Sequence, residues 1–184
     1  MNLLKLIVFI GATTVIVYVS WESLRNSRSH GFCRFFAWEA ILALILFNIE
    51  YWFHDPFSVL QIISWLLLII SLFLVVHGIK SLRIAGRPDN KRKDTALIGV
   101  EKTTELVTVG AFKFIRHPLY SSLLFLTWGV FCKWPSWLGG SLAAIATVFL
   151  VATSKVEEVE NIRFFGSAYR DYMKRSKMFI PFLF

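Results

Sequence analysis

Apolar residues come in long blocks in this chain, and five blocks approach the length needed to cross a membrane. They cover residues 3–21, 35–53, 59–79, 118–134 and 137–153. About 20 apolar residues are needed for a helix to span the hydrocarbon core. The fourth block is the shortest. It just spans, or it closes a tight hairpin with the fifth around Pro135. The first block is longer than a usual signal-peptide core and no small-x-small site follows it, so it reads as a retained helix. After residue 153 the pattern changes. Val156, Val159, Ile162 and Phe165 recur every three residues among charged ones. That spacing predicts an amphipathic helix lying on the membrane, broken at Gly166. The expected fold class is all-α: an integral membrane bundle of about five transmembrane helices. It includes a short hairpin of helices four and five and a cytoplasmic amphipathic C-terminal helix. Residues 1–184 form one domain, with a three-helix bundle over 1–80. Linker, hairpin and tail over 81–184 carry the chemistry.

Composition agrees with this pattern. Hydrophobic residues make up 56% of the 184 and the mean hydropathy is +0.60, too apolar for an ordinary soluble domain. Two cysteines exclude a disulfide framework. The net charge of +8 points to cytoplasmic loops, not nucleic acid. Eighteen of the 20 Lys and Arg lie in the loop over 25–34, the linker over 80–116 and the tail from Lys155 onward. With five spans, this bias puts the N-terminus outside and the linker and tail in the cytoplasm. Cys33 and Cys132 then sit at opposite faces.

Polar residues inside the blocks come next. Glu39 and Glu50 are eleven residues apart, about three turns, and share a helix face. Glu39 has two readings, a structural hydrogen bond or a contact to substrate. Glu50 reads as interfacial. Gln61, Ser64, Ser71 and Gly78 form one small and polar stripe, the signature of close helix packing.

The linker holds turn residues Gly86, Pro88, Asp89 and Asn90, then Lys91, Arg92 and Lys93. The basic run reads as positive-inside charge, with a lipid-headgroup patch as the alternative. Leu106–Val109 has extended character ending at Gly110. The stretch FIRHPLYSS follows. Pro118 fits the first turn of helix four and His117 its cap position. A helix N-terminus with Arg116 beside it attracts an anion. The plain alternative is a capped helix with an interfacial Arg and Tyr. Glu157 and Glu158 emerge on the same side. If helices four and five form a hairpin, the two segments converge on one pocket with an anion-attracting wall and an acidic one. Such a pocket suits a zwitterionic or mixed-charge cofactor with hydroxyls.

At this point the residues resemble a family. LVTVGAFKFIRHPLY, then EEVENIRFFGSAYRDYMKRSKMFIP about 40 residues later, is similar to the integral-membrane methyltransferases that act on isoprenylcysteine carboxylates and phospholipids. The pattern LVTxGxYxxxRHPxYxG is met by Leu106, Val107, Thr108, Gly110, Arg116, His117, Pro118 and Tyr120. The pattern EExxLxxxFGxxYxxY and a terminal FIP are met by Glu157, Glu158, Phe165, Gly166, Tyr169, Tyr172, Phe179, Ile180 and Pro181. The likeness covers roughly the second half of the chain. Three positions depart from it: Phe112 for Tyr, Ser122 for Gly and Asn161 for Leu. The first two are expected near the cofactor, where they would change its packing, and Asn161 would add a polar contact one turn beyond Glu157.

The resemblance implies S-adenosyl-L-methionine as cofactor, bound in a cytoplasm-facing pocket, and a lipophilic acceptor from the membrane. Arg116, His117 and Tyr120 would contact the methionine part or orient the sulfonium. Glu157 and Glu158 would hold ribose hydroxyls or the amino group. Pro118 and Tyr169 complete the expected cofactor site. Arg116, Glu158 and Glu39 are the expected catalytic residues, with Arg116 orienting an anionic acceptor and a carboxylate serving as base where the acceptor is a protonated amine. The acceptor is a prenylcysteine-like carboxylate or a lipid amine or hydroxyl. Expected partners are that lipophilic or lipid-modified substrate and membrane lipids, with no nucleic acid and no metal. Two other readings stand beside this one. Membrane sterol or steroid reductases carry a similar RHPxY segment and use NADPH. A non-enzymatic lipid-binding membrane protein would also show a basic inner face.

Overall fold

The computed structural model describes residues 2–87 and 102–183. Helices α1 (Leu3–Leu24), α2 (His30–Asn48), α3 (Val59–Ala85), α4 (Pro118–Phe131), α5 (Trp137–Phe165) and α6 (Ser167–Arg175) follow in chain order. Short 3-10 turns at Ile49–Tyr51 and Gly110–Lys113 precede α3 and α4. Among the described residues there is no β-strand, and Ile115 and Lys177 form an isolated parallel bridge. Leu106–Val109 makes no strand. Pro88, Asp89, Asn90 and the Lys91–Arg92–Lys93 run lie outside the described residues.

Among the described residues four helices are long and apolar enough to cross a membrane: α1, α2 through Tyr51, α3 and α5. The fourth apolar block forms the shorter α4 of 14 residues. At 1.5 Å per residue α4 is about 21 Å long and α5, with 29 residues, about 43 Å.

The largest departure from expectation lies at the end of α5. The sequence pattern suggests a separate surface helix after residue 153. Instead α5 runs unbroken to Phe165, because no Gly or Pro lies between Thr153 and Gly166. Gly166 has φ +63°, a backbone region other residues adopt only with strain, and it turns the chain into α6. Glu157 and Glu158 therefore stand on a helix that projects about 13 Å beyond a 30 Å apolar core.

Helix packing follows residue size. α2 lies on α5 through buried Ala37, Ala40, Ala143 and Ala146, which let the two backbones approach. α3 lies on α4 through the small and polar stripe. Ser64 Oγ donates to the Gly129 carbonyl and Ser71 Oγ to that of Ser122, each at 2.7 Å. Gly78 faces Leu119 so closely that a Cβ would come within 2.9 Å of its Cδ2. α1 packs chiefly on α2, where Thr13 Oγ1 donates to Glu39 at 2.8 Å, while Lys5 pairs with Glu50 at 2.9 Å.

Charge is also buried elsewhere among the described residues, at Arg34 of α2 and in the turn after α4. Lys133, in the turn between α4 and α5, is only 3% exposed. Its ammonium donates to Gln61 Oε1 at 3.0 Å and lies 3.6 Å from the Trp65 ring centroid and 5.2 Å from that of Trp52. Cation–π attraction and one hydrogen bond replace its water.

Candidate functional site: a cleft at the junction of α4, α5 and α6

The segment 114–117 is held by the tail. Arg116 N donates to Lys177 O at 2.7 Å, His117 N to Met178 O at 3.2 Å, and Lys177 N to Phe114 O at 2.9 Å. Behind this strap, Met178 and Phe179 are buried with Ala37, Tyr120 and Leu150, which fixes the tail to the bundle. Ser121 Oγ lies 2.9 Å from both the His117 and the Phe179 carbonyl oxygens. Tyr172 of α6 donates to the Phe112 carbonyl at 2.6 Å. The FIP end of the chain thus works as a fastener for the Arg-His-Pro segment.

Pro118 occupies the first turn of α4 and His117 its N-cap position, but the imidazole makes no capping hydrogen bond. It turns toward α5. Its Nδ1 is 3.6 Å from Glu157 and its Nε2 3.6 Å from Glu158, and the ring is 3% exposed. Burial disfavours the charged ring, but the hydrogen bonds and charges of Glu157 and Glu158 outweigh it and raise the His117 pKa above its ordinary value. Arg116 bonds Glu158 through Nε at 2.6 Å and reaches the Met173 and Ser176 carbonyl oxygens through a terminal nitrogen. This pair is buried, with side-chain exposures of 10% and 5%.

These groups adjoin a cleft of about 590 Å³, counted with its open mouth. One wall is apolar, with Leu82, Leu106, Val107 and Phe112. The other carries Glu157, Asn161, Phe165 and Tyr169. The Phe165 and Tyr169 rings are nearly parallel, at 18°, with centroids 6.5 Å apart. Asn161 Nδ2 is 3.5 Å from Glu157 and also hydrogen-bonds Tyr169. Burial pushes the hydroxyl pKa of Tyr169 and Tyr172 up, so both stay neutral.

Of the residues expected at the site, Arg116, His117, Pro118, Tyr120, Glu157 and Tyr169 line the cleft together. Glu158 lies behind them, engaged by Arg116. Glu39 is elsewhere, directed to Thr13 on α1. Of the three departing positions, Phe112 and Asn161 line the cleft, while Ser122 is buried with its carbonyl bonded to α3. Sequence reasoning misses the roles of Ser121, Ser176 and the tail backbone, because main-chain acceptors leave no mark in a residue string. The Tyr172 signal was present in the family-like spacing. Among the described residues no His, Cys, Asp and Glu cluster could hold a metal.

Residues 59–168 match the family of phospholipid methyltransferases. The chain is 28% identical over 127 residues to a methanethiol S-methyltransferase of Pseudomonas deceptionensis, covering 66% of this chain and 43% of that protein. It is 30% identical over 121 residues to methanethiol S-methyltransferase 1 of Bradyrhizobium diazoefficiens, covering 64% and 39%. A methanethiol S-methyltransferase of Crocosphaera subtropica is 23% identical over 122 residues, covering 66% and 44%. The chain spans less than half the length of these relatives. No solved structure matches.

Proposed function

Because the chain belongs to the phospholipid methyltransferase family, we propose that it transfers a methyl group from S-adenosyl-L-methionine to a lipophilic acceptor drawn from the membrane. The observation that carries this reading is the convergence of two distant segments, 116–120 and 157–169, on one cleft with an acidic wall and an apolar wall. The residues fit such a donor. Glu157 offers a carboxylate for ribose hydroxyls or an ammonium, and Phe165 and Tyr169 offer flat apolar surface for a purine. When bound, the donor supplies an already activated methyl carbon.

What this chain contributes is position and exclusion of water. The Arg116–Glu158 pair fastens α4, α5 and the tail, so the cleft walls keep their separation. Asn161 steadies Glu157 from one turn further along α5. The acceptor comes to the apolar wall of Leu82, Val107 and Phe112. The relatives are named for a small thiol, so a thiol is the first acceptor to assay, ahead of a prenylcysteine carboxylate and a lipid amine. The distribution of Lys and Arg supports a cleft facing the cytoplasm and an N-terminus outside.

The test uses the full chain in lipid nanodiscs. Isotope-labelled donor is incubated with methanethiol, a prenylcysteine or total lipid extract, and products are read by mass spectrometry. Melting curves with S-adenosylhomocysteine and with NADPH run alongside. Label transfer and protection by the first compound are expected. Protection by NADPH alone would favour a reductase, and protection by neither, without label transfer, would sink the enzymatic reading.

A further inference from the structure

The charges around the cleft are nearly all committed to one another. Arg116 is engaged with Glu158 and with two main-chain carbonyl oxygens. Lys155, mostly exposed, approaches Glu158 at 3.7 Å. Glu160 takes His30 Nδ1 at 2.5 Å, and Arg34 lies over the Trp38 ring. Tyr169 and Tyr172 face the site from α6 as neutral hydroxyls. Glu157 is held differently. Tyr120 and Asn161 hydrogen-bond it, and neither carries charge. His117 is the cation that faces it, at 3.6 Å, and His30, which Glu160 already engages, acts on it from further off.

Glu157 is half-buried at the cleft wall, with its side chain 19% exposed, and a cation beside it offsets the water it has lost. In the free protein the imidazole of His117 can supply that charge: its Nδ1 lies 3.6 Å from Glu157, and its buried Nε2 lies 3.6 Å from Glu158, which Arg116 already engages. The methyl donor carries one net positive charge, from a sulfonium and an ammonium against one carboxylate. Its demethylated product carries none. Both cannot sit beside Glu157 and a charged His117 on equal terms.

Building on the proposed function, we infer that His117 is an exchangeable counter-charge for Glu157, giving up its proton when the cationic donor enters and keeping it when the neutral product does. It is a specificity-determining residue that distinguishes donor from product by charge. The raised His117 pKa runs in the same direction, because the hydrogen bonds and charges of Glu157 and Glu158 outweigh the cost of burying the charged ring. The bookkeeping of the reaction closes as well. With a thiol acceptor, the carbon–sulfonium bond breaks and leaves its electron pair on the donor sulfur, and a carbon–sulfur bond forms to the acceptor. The acceptor's proton is the one that the imidazole recovers.

The experiment is isothermal titration of the full chain in nanodiscs with sinefungin, which carries the donor's net charge but no transferable methyl, and with S-adenosylhomocysteine. Each is run near pH 7 in two buffers of different ionisation enthalpy. Sinefungin is expected to release close to one proton and S-adenosylhomocysteine close to none. In His117→Gln both compounds are expected to bind without proton release. Equal release for the two compounds, or release that persists in His117→Gln, overturns the inference while leaving the methyl-donor site standing. Binding of neither compound to the unaltered protein overturns that site and the inference together. Should His117→Gln fail to fold, the unaltered protein still decides. Sinefungin affinity should rise nearly tenfold per pH unit below the ring's pKa, against a flat profile for S-adenosylhomocysteine, and two parallel profiles refute the idea.

Discussion

At one end of the bundle Lys133 is buried against Gln61 and Trp65; at the other, Arg116 and His117 are buried against Glu158 and Glu157. The first arrangement uses a neutral amide and aromatic faces, one hydrogen bond and cation–π contacts, and none of these brings an opposite formal charge to the ammonium. The second uses formal charges. One pair, Arg116–Glu158, is tight at 2.6 Å, and the other, His117–Glu157, borders a cleft at a looser 3.6 Å. Buried charge by itself therefore does not mark a site. What marks it is a charge whose partner is held loosely and next to space.

The sharpest way to break this comparison is Arg116→Ala. It leaves Glu158 buried without its partner and frees the tail, so a loss of about 3–5 kcal/mol is expected, read as a large fall in melting temperature. Next, Glu157→Gln should leave the melting temperature of the free protein within a few degrees, yet weaken S-adenosylhomocysteine binding about 100-fold, or about 2.7 kcal/mol. If both glutamates gave the same outcome, the distinction between fastener and cleft wall would be lost.

Lys133→Met, at the opposite end, should cost about 1–2 kcal/mol of stability through the lost cation–π and hydrogen-bond contacts. Donor-site affinity should not change. Glu39→Gln should have a smaller effect still, about 0.6 kcal/mol for a hydrogen bond between membrane helices, with binding and turnover intact. Reduced turnover would return Glu39 to the chemistry. The last effect is in pH. His117 has its pKa raised in the folded state, so its stabilisation is complete below the ordinary histidine value and is lost as pH rises through the folded one. The free protein should melt lower at pH 9 than at pH 6, and His117→Gln should flatten that slope.

The blocks of apolar residues gave four long helices and a short one close to where they lie, because membrane length and period are local properties. α5 was harder. Its apolar block ends near Thr153, but the backbone has no reason to stop there, so Glu157 and Glu158 ride on the helix and not on a loose tail. The grouping of Arg116, His117 and Glu157 could be anticipated from charge topology and motif order. The separation of roles between Glu157 and Glu158 could not. It depends on a 100° turn between neighbours on a helix and on which of them meets Arg116. The Lys133–Gln61 contact joins residues 72 apart, and neither residue carries a local signal of the other.

The brevity of α4 has a consequence for the surrounding lipid. A helix of about 21 Å beside neighbours of 27 and 29 residues is shorter than a 30 Å core, and wherever it meets lipid, acyl chains would have to shorten or splay to match it. Thinning of this kind would bring the headgroup plane down toward His117 and the cleft mouth, and a membrane-dissolved acceptor would meet the protein without first leaving the oil. Turnover of the proposed methyl transfer should then rise in nanodiscs of 14-carbon lipids over those of 18-carbon lipids, which would make bilayer thickness itself a setting for that reaction.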